Sequence, residues 1–537
     1  MSDQGELSGE ARRVTRAAIL ISVGSIASRA LGLVSEMAKS YFFGAGGAVS
    51  AFDVASQVPT MLYDQLVGGM LSASLVPVFS DYARSEDREE LWQVFSHIFT
   101  ILLLVLGAII VLLEIAAPAV ARILGTKLPP EYLAMATSMI RITSPAVLFL
   151  NIAGLLSALL YALQRFRLPA FTGAVYNAGM VLVIVALGTG PLGAKTLAIG
   201  LLVATFAQMA IQLPGLRGLR LRLQLPLPLH PALGQVIRLY LPIGAGLLVD
   251  LFARGLSFNL ASRTGPSGIA WMSYAAKLIQ FPLGLVVTAV SVAILPTLSR
   301  YASDAEEPAF SATLAQGVRL VLILVLPAAV GLLVMAQPLV ALLLQRGAFQ
   351  PSDTLATAHA LRFSILGLVF AALDTPLIFA FYARKDTWTP ALVGIGTTVL
   401  YIGMALVPTL FHEPRLWQLI LANSLKLMAH ALLMLYLFTR KVGSLGPYGV
   451  GRTTLLSSGA SLAMVPLMLA VLGGLQPLVP PGSLGYLIRI LTATGLGGLV
   501  YLGLMRILGV EELSLIRQAL RRRPSLASGP LLSLRKQ

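Results

Sequence analysis

Charged side chains stand in runs that are otherwise apolar, and these are the residues able to do chemistry. The stretch "SRALGLVSEMAKSYFFGAG", residues 28–46, carries Arg29, Glu36 and Lys39. Similar runs hold Asp53, Asp64, Arg141, Asp250, Arg254, Lys277, Arg319, Arg362, Asp374 and Lys426, with Glu114 near the end of another. A charge at the centre of a membrane helix costs about 2.5–3.5 kcal/mol on the insertion scale, so these groups should face protein or a wet cavity. Arg29 and Glu36 are seven apart and share a helical face. Glu36 with Lys39, and Asp250 with Arg254, have the spacing of helical ion pairs. The alternative reading is that such pairs neutralise each other and only fix packing. Near span ends, as for Glu114, Arg141 and Arg319, snorkelling to the interface is expected. Arg29, Lys39, Arg254 and Lys277, offset by Glu36, Asp53 and Asp250, would make a cationic cavity. That suits a phosphate or diphosphate, because a guanidinium grips two phosphate oxygens at once.

The elements that must position these groups are membrane helices. The 537 residues are 57% hydrophobic and only 12% charged, with mean hydropathy +0.83. Soluble domains carry about 25% charged residues, so this chain cannot cover itself with charge. A spanning helix needs roughly 20 apolar residues. That gives fourteen candidates, near 17–43, 51–80, 92–118, 132–162, 169–189, 193–213, 233–261, 268–298, 312–344, 355–382, 388–410, 416–439, 453–474 and 484–507. With the N-terminus inside, 24 of the 39 Lys and Arg fall in cytoplasmic loops and 7 in outer ones. This is the positive-inside bias, and it puts both termini in the cytoplasm. It also accounts for the +16 charge without nucleic acid. The first apolar segment lacks a small-residue cleavage site and reads as a retained helix.

The chain repeats itself. "LVPVFSDYA" at 75–83 answers "ILPTLSRYA" at 294–302, offset 219, and "YALQRFRLPAF" at 161–171 answers "YARKDTWTPAL" at 382–392, offset 221. Two like-oriented halves of six spans follow, a transporter design with the site between them. The expected fold is all-α and polytopic. It divides into a cytoplasmic segment 1–16, an N-lobe 17–222, a C-lobe 223–441, two added spans in 442–508 and a basic tail 509–537. The tail could hold an anionic leaflet at ~1 kcal/mol per basic residue, or simply be solvated; residues 1–10 are expected to be unstructured.

Several chemistries are excluded. With no cysteine and five scattered histidines, no metal site or other cofactor is expected. "FGAGG" at 43–47 follows an apolar span and lacks the Lys-Ser/Thr of a nucleotide loop. It reads as a turn, while Gly68-Gly69 suits close helix packing or a bend. No catalytic constellation or ATP motif is visible, so an enzyme is not expected. Energy should come from an ion gradient or the membrane potential, with Asp250 and Asp374 as coupling candidates. Each has a structural reading too, as partner of Arg254 or of Arg362.

Ser28-Arg29-Ala30-Leu31-Gly32-Leu33, Phe43-Gly44-Ala45-Gly46, Val76-Pro77-Val78-Phe79, Trp271-Met272-Ser273-Tyr274-Ala275, Gln345-Arg346-Gly347-Ala348-Phe349 and Tyr382-Ala383-Arg384-Lys385-Asp386 recur in order on the expected spans and loops. On these the chain resembles the MurJ (MviN) lipid II flippases of the MOP superfamily. The resemblance implies two six-helix lobes around a cavity whose Arg residues hold a lipid-linked diphosphate, moved outward by alternating access. Spans 13 and 14 would receive the lipid tail. It implies a bacterial inner-membrane protein of peptidoglycan biosynthesis, monomeric, partnered by membrane lipids and by cell-wall synthesis machinery. Arg29 and Glu36 match the family pattern, Lys277 stands where an Arg is usual, and Ser35 and the Tyr63–Gly69 stretch replace other family Arg and Glu. The implied substrate-binding set is Arg29, Lys277, Glu36, Lys39, Ser35, Tyr63 and Arg254. Three alternatives stay open: a flippase for another lipid-linked cargo, a MATE-like exporter, and a scaffold without transport.

Topology is directly testable, because any cysteine introduced is the only one in the chain. Cysteine at Arg167 should react with a membrane-impermeant maleimide only from the cytoplasmic side, and cysteine at Lys195 only from outside. The reverse pattern would invalidate the orientation.

Overall fold

Hydrocarbon leaves backbone groups no partner but one another, so the spanning segments must be helical. The computed structural model describes residues 2–68, 74–84, 88–216, 231–304, 306–510 and Glu512. Among them there is no strand. The first half contains α1 (Ser2–Phe43), α2 (Gly47–Tyr63), α3 (Val76–Arg84), α4 (Arg88–Leu124), α5 (Pro130–Ala162), α6 (Arg167–Leu187) and α7 (Lys195–Ala210). The second contains α8 (Pro231–Ser262), α9 (Gly268–Pro282), α10 (Thr288–Ser303), α11 (Glu307–Leu344), α12 (Pro351–Ala383), α13 (Trp388–Leu406) and α14 (Leu416–Lys441). After these come α15 (Val450–Ala463), α16 (Val465–Gly474) and α17 (Ser483–Ile507). Helix α1 runs from Ser2, which corrects the expectation of an unstructured start: Ser2–Arg16 contains no proline to stop it. The loop 217–230, Gly69 and the tail 513–537 lie outside the described residues.

The repeat seen in the sequence recurs in the backbone. A π-helical segment follows α2 at Asp64–Gly68, and another follows α9 at Leu283–Val287, 219 residues on. Among the described residues the only non-glycine ones with positive φ are Gln164 (58°) and Lys385 (60°), at the other offset. Both α5 and α12 begin on a proline, Pro130 and Pro351, where the missing N–H costs nothing. In the turn after α12, burial opposes the charge of Asp386. Hydrogen bonds from Thr389 and Lys441 outweigh that and hold its carboxyl below the usual range.

Among the described residues ten helices are long and apolar enough to cross a membrane, eleven counting 130–162, which bends by 41° around Pro145. The chain is a multi-pass membrane protein. The expected count of fourteen is reached only with the segments at 47–84, 231–262 and 268–303. These carry Asp53, Asp64, Asp250, Arg254 and Lys277, and two of them are broken by the π turns. Charge and backbone irregularity thus fall together, where lipid contact is least tolerable.

Small residues fix α1. Gly24, Ser28 and Gly32 recur every fourth position and meet Ala170, Gly173 and Asn177 of α6. Asn177 Nδ2 donates to the Ser28 carbonyl at 3.0 Å. A Cβ built on Gly24 would lie 2.0 Å from the Ala170 oxygen, a backbone atom that cannot yield. With this stripe pressed on α6, Arg29, about 100° round the helix from Ser28, is turned away from it.

At the far end, α11 carries the added helices. Met335 and Ile323 of α11 pack with Met464, Met468 and Tyr501, and the Tyr501 hydroxyl donates to the Ile323 carbonyl at 2.7 Å.

The expected consequence concerns Gly24. Gly24→Ala should lower stability by about 1–3 kcal/mol through overpacking. Gly32→Ala, whose new Cβ would meet Asn177 at an ordinary 3.4 Å, should be near neutral in the same detergent melting experiment. Equal Tm values for both variants would refute the α1–α6 packing.

Candidate functional site

Arg29 and Lys277 come from different halves of the sequence and line one cavity. Its volume is about 730 Å³, within the few-hundred-to-thousand range of small-molecule sites. The polar lining includes Arg29, Glu36, Asn177, Lys277 and Gln280, from α1, α6 and α9. The α11 wall is apolar, built from Leu332, Leu339 and Leu343. The cavity therefore has a charged side and a greasy side.

The Arg29 guanidinium has one fixed partner. Its Nη1 donates to the main-chain carbonyl of Gln280 at 2.9 Å. It lies flat against Gly284, where a Cβ would fall 1.7 Å from the guanidinium carbon. Neither Arg29 nor Lys277 has an ion pair among the described residues, whereas the other in-span cations of the candidate set do. The lining holds two cations and one carboxylate, Glu36, whose own partner is Lys39 at 2.7 Å.

Lys39 does not project into the cavity, contrary to the sequence reading. It is 5% exposed and sits behind the wall between Glu36 and Asp53, the latter at 3.5 Å, with the Tyr274 ring 4.4 Å away. The Tyr274 hydroxyl donates to the Gly44 carbonyl at 2.8 Å. This cluster joins α1, α2 and α9. Ser35 is buried as well and lies off the lining. Tyr63 also lies off it, packed on Gly68 and Gly154.

Arg254 likewise lies off this lining. It bonds Asp64 at 2.8 Å and Asp250 at 2.8 Å, and Lys426 reaches Asp250 at 3.2 Å. The four charges balance. Asp374 pairs with His430 at 2.8 Å rather than with Arg362. Arg319 does not snorkel: Glu512 takes it at 2.7 Å. Spacing alone identified Glu36–Lys39 and Asp250–Arg254. It missed Asp64, Lys426 and His430, whose partners are far away in sequence, and the Gln280 carbonyl, which no side-chain pattern encodes. Among the described residues no cluster of His, Cys, Asp and Glu could hold a metal.

The family model of the lipid II flippase MurJ matches residues 39–492. The chain belongs to the MurJ family. A probable lipid II flippase MurJ of Vibrio cholerae serotype O1 is 29% identical over 93% of the chain and 97% of its own length. The lipid II flippase MurJ of Burkholderia cenocepacia is also 29% identical, over 72% of the chain and 76% of its own length. Among solved structures, a lipid II flippase MurJ in an inward closed conformation superposes with TM-score 0.77 at 22% identity, covering 94% of the chain and all of that protein. An inward-facing MATE multidrug transporter of the MOP superfamily superposes with TM-score 0.68 at 14% identity, over 79% of the chain. The two-repeat architecture read from the sequence is thus the fold of MurJ-family and MATE transporters.

The Lys39 cluster gives a sharp expectation. Lys39→Met would leave the buried Asp53 carboxylate without its cation and Glu36 without its ion pair, and cost about 3–5 kcal/mol. Thermal unfolding in detergent should show it as a large drop in Tm, and a drop no larger than that of an exposed Lys variant would mean the cluster is not buried as described.

Proposed function

We propose that this MurJ-family chain moves lipid II, a polyprenyl-diphosphate-linked sugar, across the bacterial cytoplasmic membrane by alternating access. The observation that carries the reading is the cavity's split character. Arg29 and Lys277 line it without an ion pair, two cations against the one carboxylate of Glu36, and the leucines of α11 supply an apolar wall. A diphosphate supplies the missing negative charge, and the attached isoprenoid chain suits the apolar wall. Arg29 is the fork that holds phosphate oxygens, Lys277 a second point charge, and Glu36 a limit on their excess. Ser35, Tyr63, Lys39 and Arg254 serve the site indirectly, by packing or by neutralising carboxylates around it.

In this reading 17–222 and 223–441 are the moving lobes and 442–508 guides the tail. Helix α11 connects the two functions, since Leu339 and Leu343 line the cavity while Met335 of the same helix packs on α15–α17. Both termini are cytoplasmic. Catalysis plays no part, and the driving force is an ion gradient or the membrane potential. Of the two coupling candidates, Asp250 is shared between Arg254 and Lys426, whereas Asp374 has His430 as its ion-pair partner among the described residues. That makes Asp374 the better placed. A second reading, another cargo with the same diphosphate link, is favoured by Ser35 lying outside the cavity where relatives are expected to place an Arg.

Depletion of the protein should strand lipid II in the inner leaflet of a host with no second flippase. Arg29→Ala should weaken lipid II binding by roughly 10- to 100-fold, the value of a hydrogen bond to a charged group, with Arg29→Lys between. Normal outer-leaflet lipid II after depletion would end this reading.

A further inference from the structure

The two π segments are each met by the first helix of the opposite half. In the second half, α9 ends at Pro282 and the chain widens into the turn Leu283–Val287. Arg29 of α1 bonds the Gln280 carbonyl there and rests on Gly284. In the first half, the turn Asp64–Gly68 follows α2. Tyr240 of α8 donates to the Gln65 carbonyl, Gln65 donates to the Leu247 carbonyl, and Arg254 of α8 bonds Asp64. Gly284 is 219 residues beyond Gln65, the offset of the repeat. The contacts are therefore counterparts, but they differ in content. Around Gln65 side chain meets side chain and backbone, and every charge has a counter-charge. At Gly284 there is no side chain, and the Arg29 charge is met by a carbonyl dipole alone.

Short π turns inside helices concentrate at functional positions because they expose carbonyls that a regular helix covers. The Gln280 carbonyl already accepts the Leu283 N–H. Its second lone pair serves Arg29. A guanidinium donates through five N–H groups and is satisfied far better by a diphosphate than by one neutral oxygen.

We propose that the Gln280 carbonyl, presented over the bare backbone of Gly284, is the placeholder ligand of Arg29 in the empty carrier and is exchanged for the cargo diphosphate on loading. The proposal rests on the transport reading above and deepens it. A cationic cavity that closes without cargo must satisfy its cations somehow. The placeholder does so across the two halves, joining α1 to α9, so the empty carrier can close and cycle. When the diphosphate arrives it takes over the guanidinium and bridges the halves in its stead. Gln280 and Gly284 are thus positioning residues: they act on the cargo only through Arg29.

Gly284→Ala separates this role from binding. The three atoms nearest the new Cβ all belong to the tip of a flexible side chain, Arg29, and alanine is the better helix former, so the helix should persist. Arg29 is expelled from its seat yet remains in the cavity. With spin labels on cysteines placed at Arg167 and Thr387, in lipid nanodiscs, the empty wild type should give a narrow distance distribution. Empty Gly284→Ala should be broader and longer, and undecaprenyl diphosphate should bring it back to the loaded wild type. Its affinity for undecaprenyl diphosphate should equal or exceed the wild type by up to about tenfold, one hydrogen bond to a charged group no longer being displaced. In multi-turnover transport of lipid II, kcat should fall while KM does not rise. Arg29→Ala removes the same bond from the other side. It should broaden the empty distribution equally and, unlike Gly284→Ala, lose the lipid. If both variants keep the wild-type distribution and Gly284→Ala the wild-type kcat, the placeholder is refuted while the transport reading stands. If the wild type itself binds neither undecaprenyl diphosphate nor lipid II, both fall.

Discussion

An ionised side chain cannot rest in hydrocarbon, and the architecture follows from where this chain puts two of them. Most intramembrane charges here are settled by neighbours: Lys39 by Glu36 and Asp53, Arg254 by Asp64 and Asp250, Asp374 by His430. Arg29 and Lys277 are not. The bundle must keep a polar space beside them, and that space is the cavity between α1, α6, α9 and α11. Remove the two charges and nothing in the remaining sequence demands that these helices stay apart.

Arg29 can be trusted to point inward because of its neighbours on the other face. The glycine and serine stripe on α1 leaves no room between α1 and α6, so rotation of α1 is barred by backbone contact rather than by a soft side chain. Lys277 has a different support. It sits on the short helix α9, whose position depends on the Tyr274 bond to Gly44 and on the break that follows Pro282.

Much of this was legible from residue order alone. Apolar run lengths, the Lys/Arg bias and two repeated motifs gave an all-helical membrane protein built of two like halves. The cost of burying charge singled out Arg29, Lys277 and Asp250 as cavity residues; the first two line the cavity, and Asp250 is instead held by Arg254 and Lys426. The failures share a cause. Spacing reveals partners one turn away, so Lys39 was seen with Glu36 but not as a buried strut against Asp53. Arg254 was credited to the cavity because its second carboxylate, Asp64, is 190 positions distant. The π turns were hidden because a break in backbone pattern leaves little trace in composition; Pro282 and Gly284 were the available clues. The glycine stripe on α1 was visible at every fourth position, and its meaning depended on knowing that α6 lay against it.

The two unpaired cations sit on separate helices, α1 and α9, and that division makes the grip on an anion self-cancelling. Coulomb attraction falls with distance, so any movement that draws α9 away from α1 pulls the charges off either flank of the guest and flattens the well that held it. Letting go then needs no chemistry and no displacing group. The hand opens because its two fingers belong to different arms.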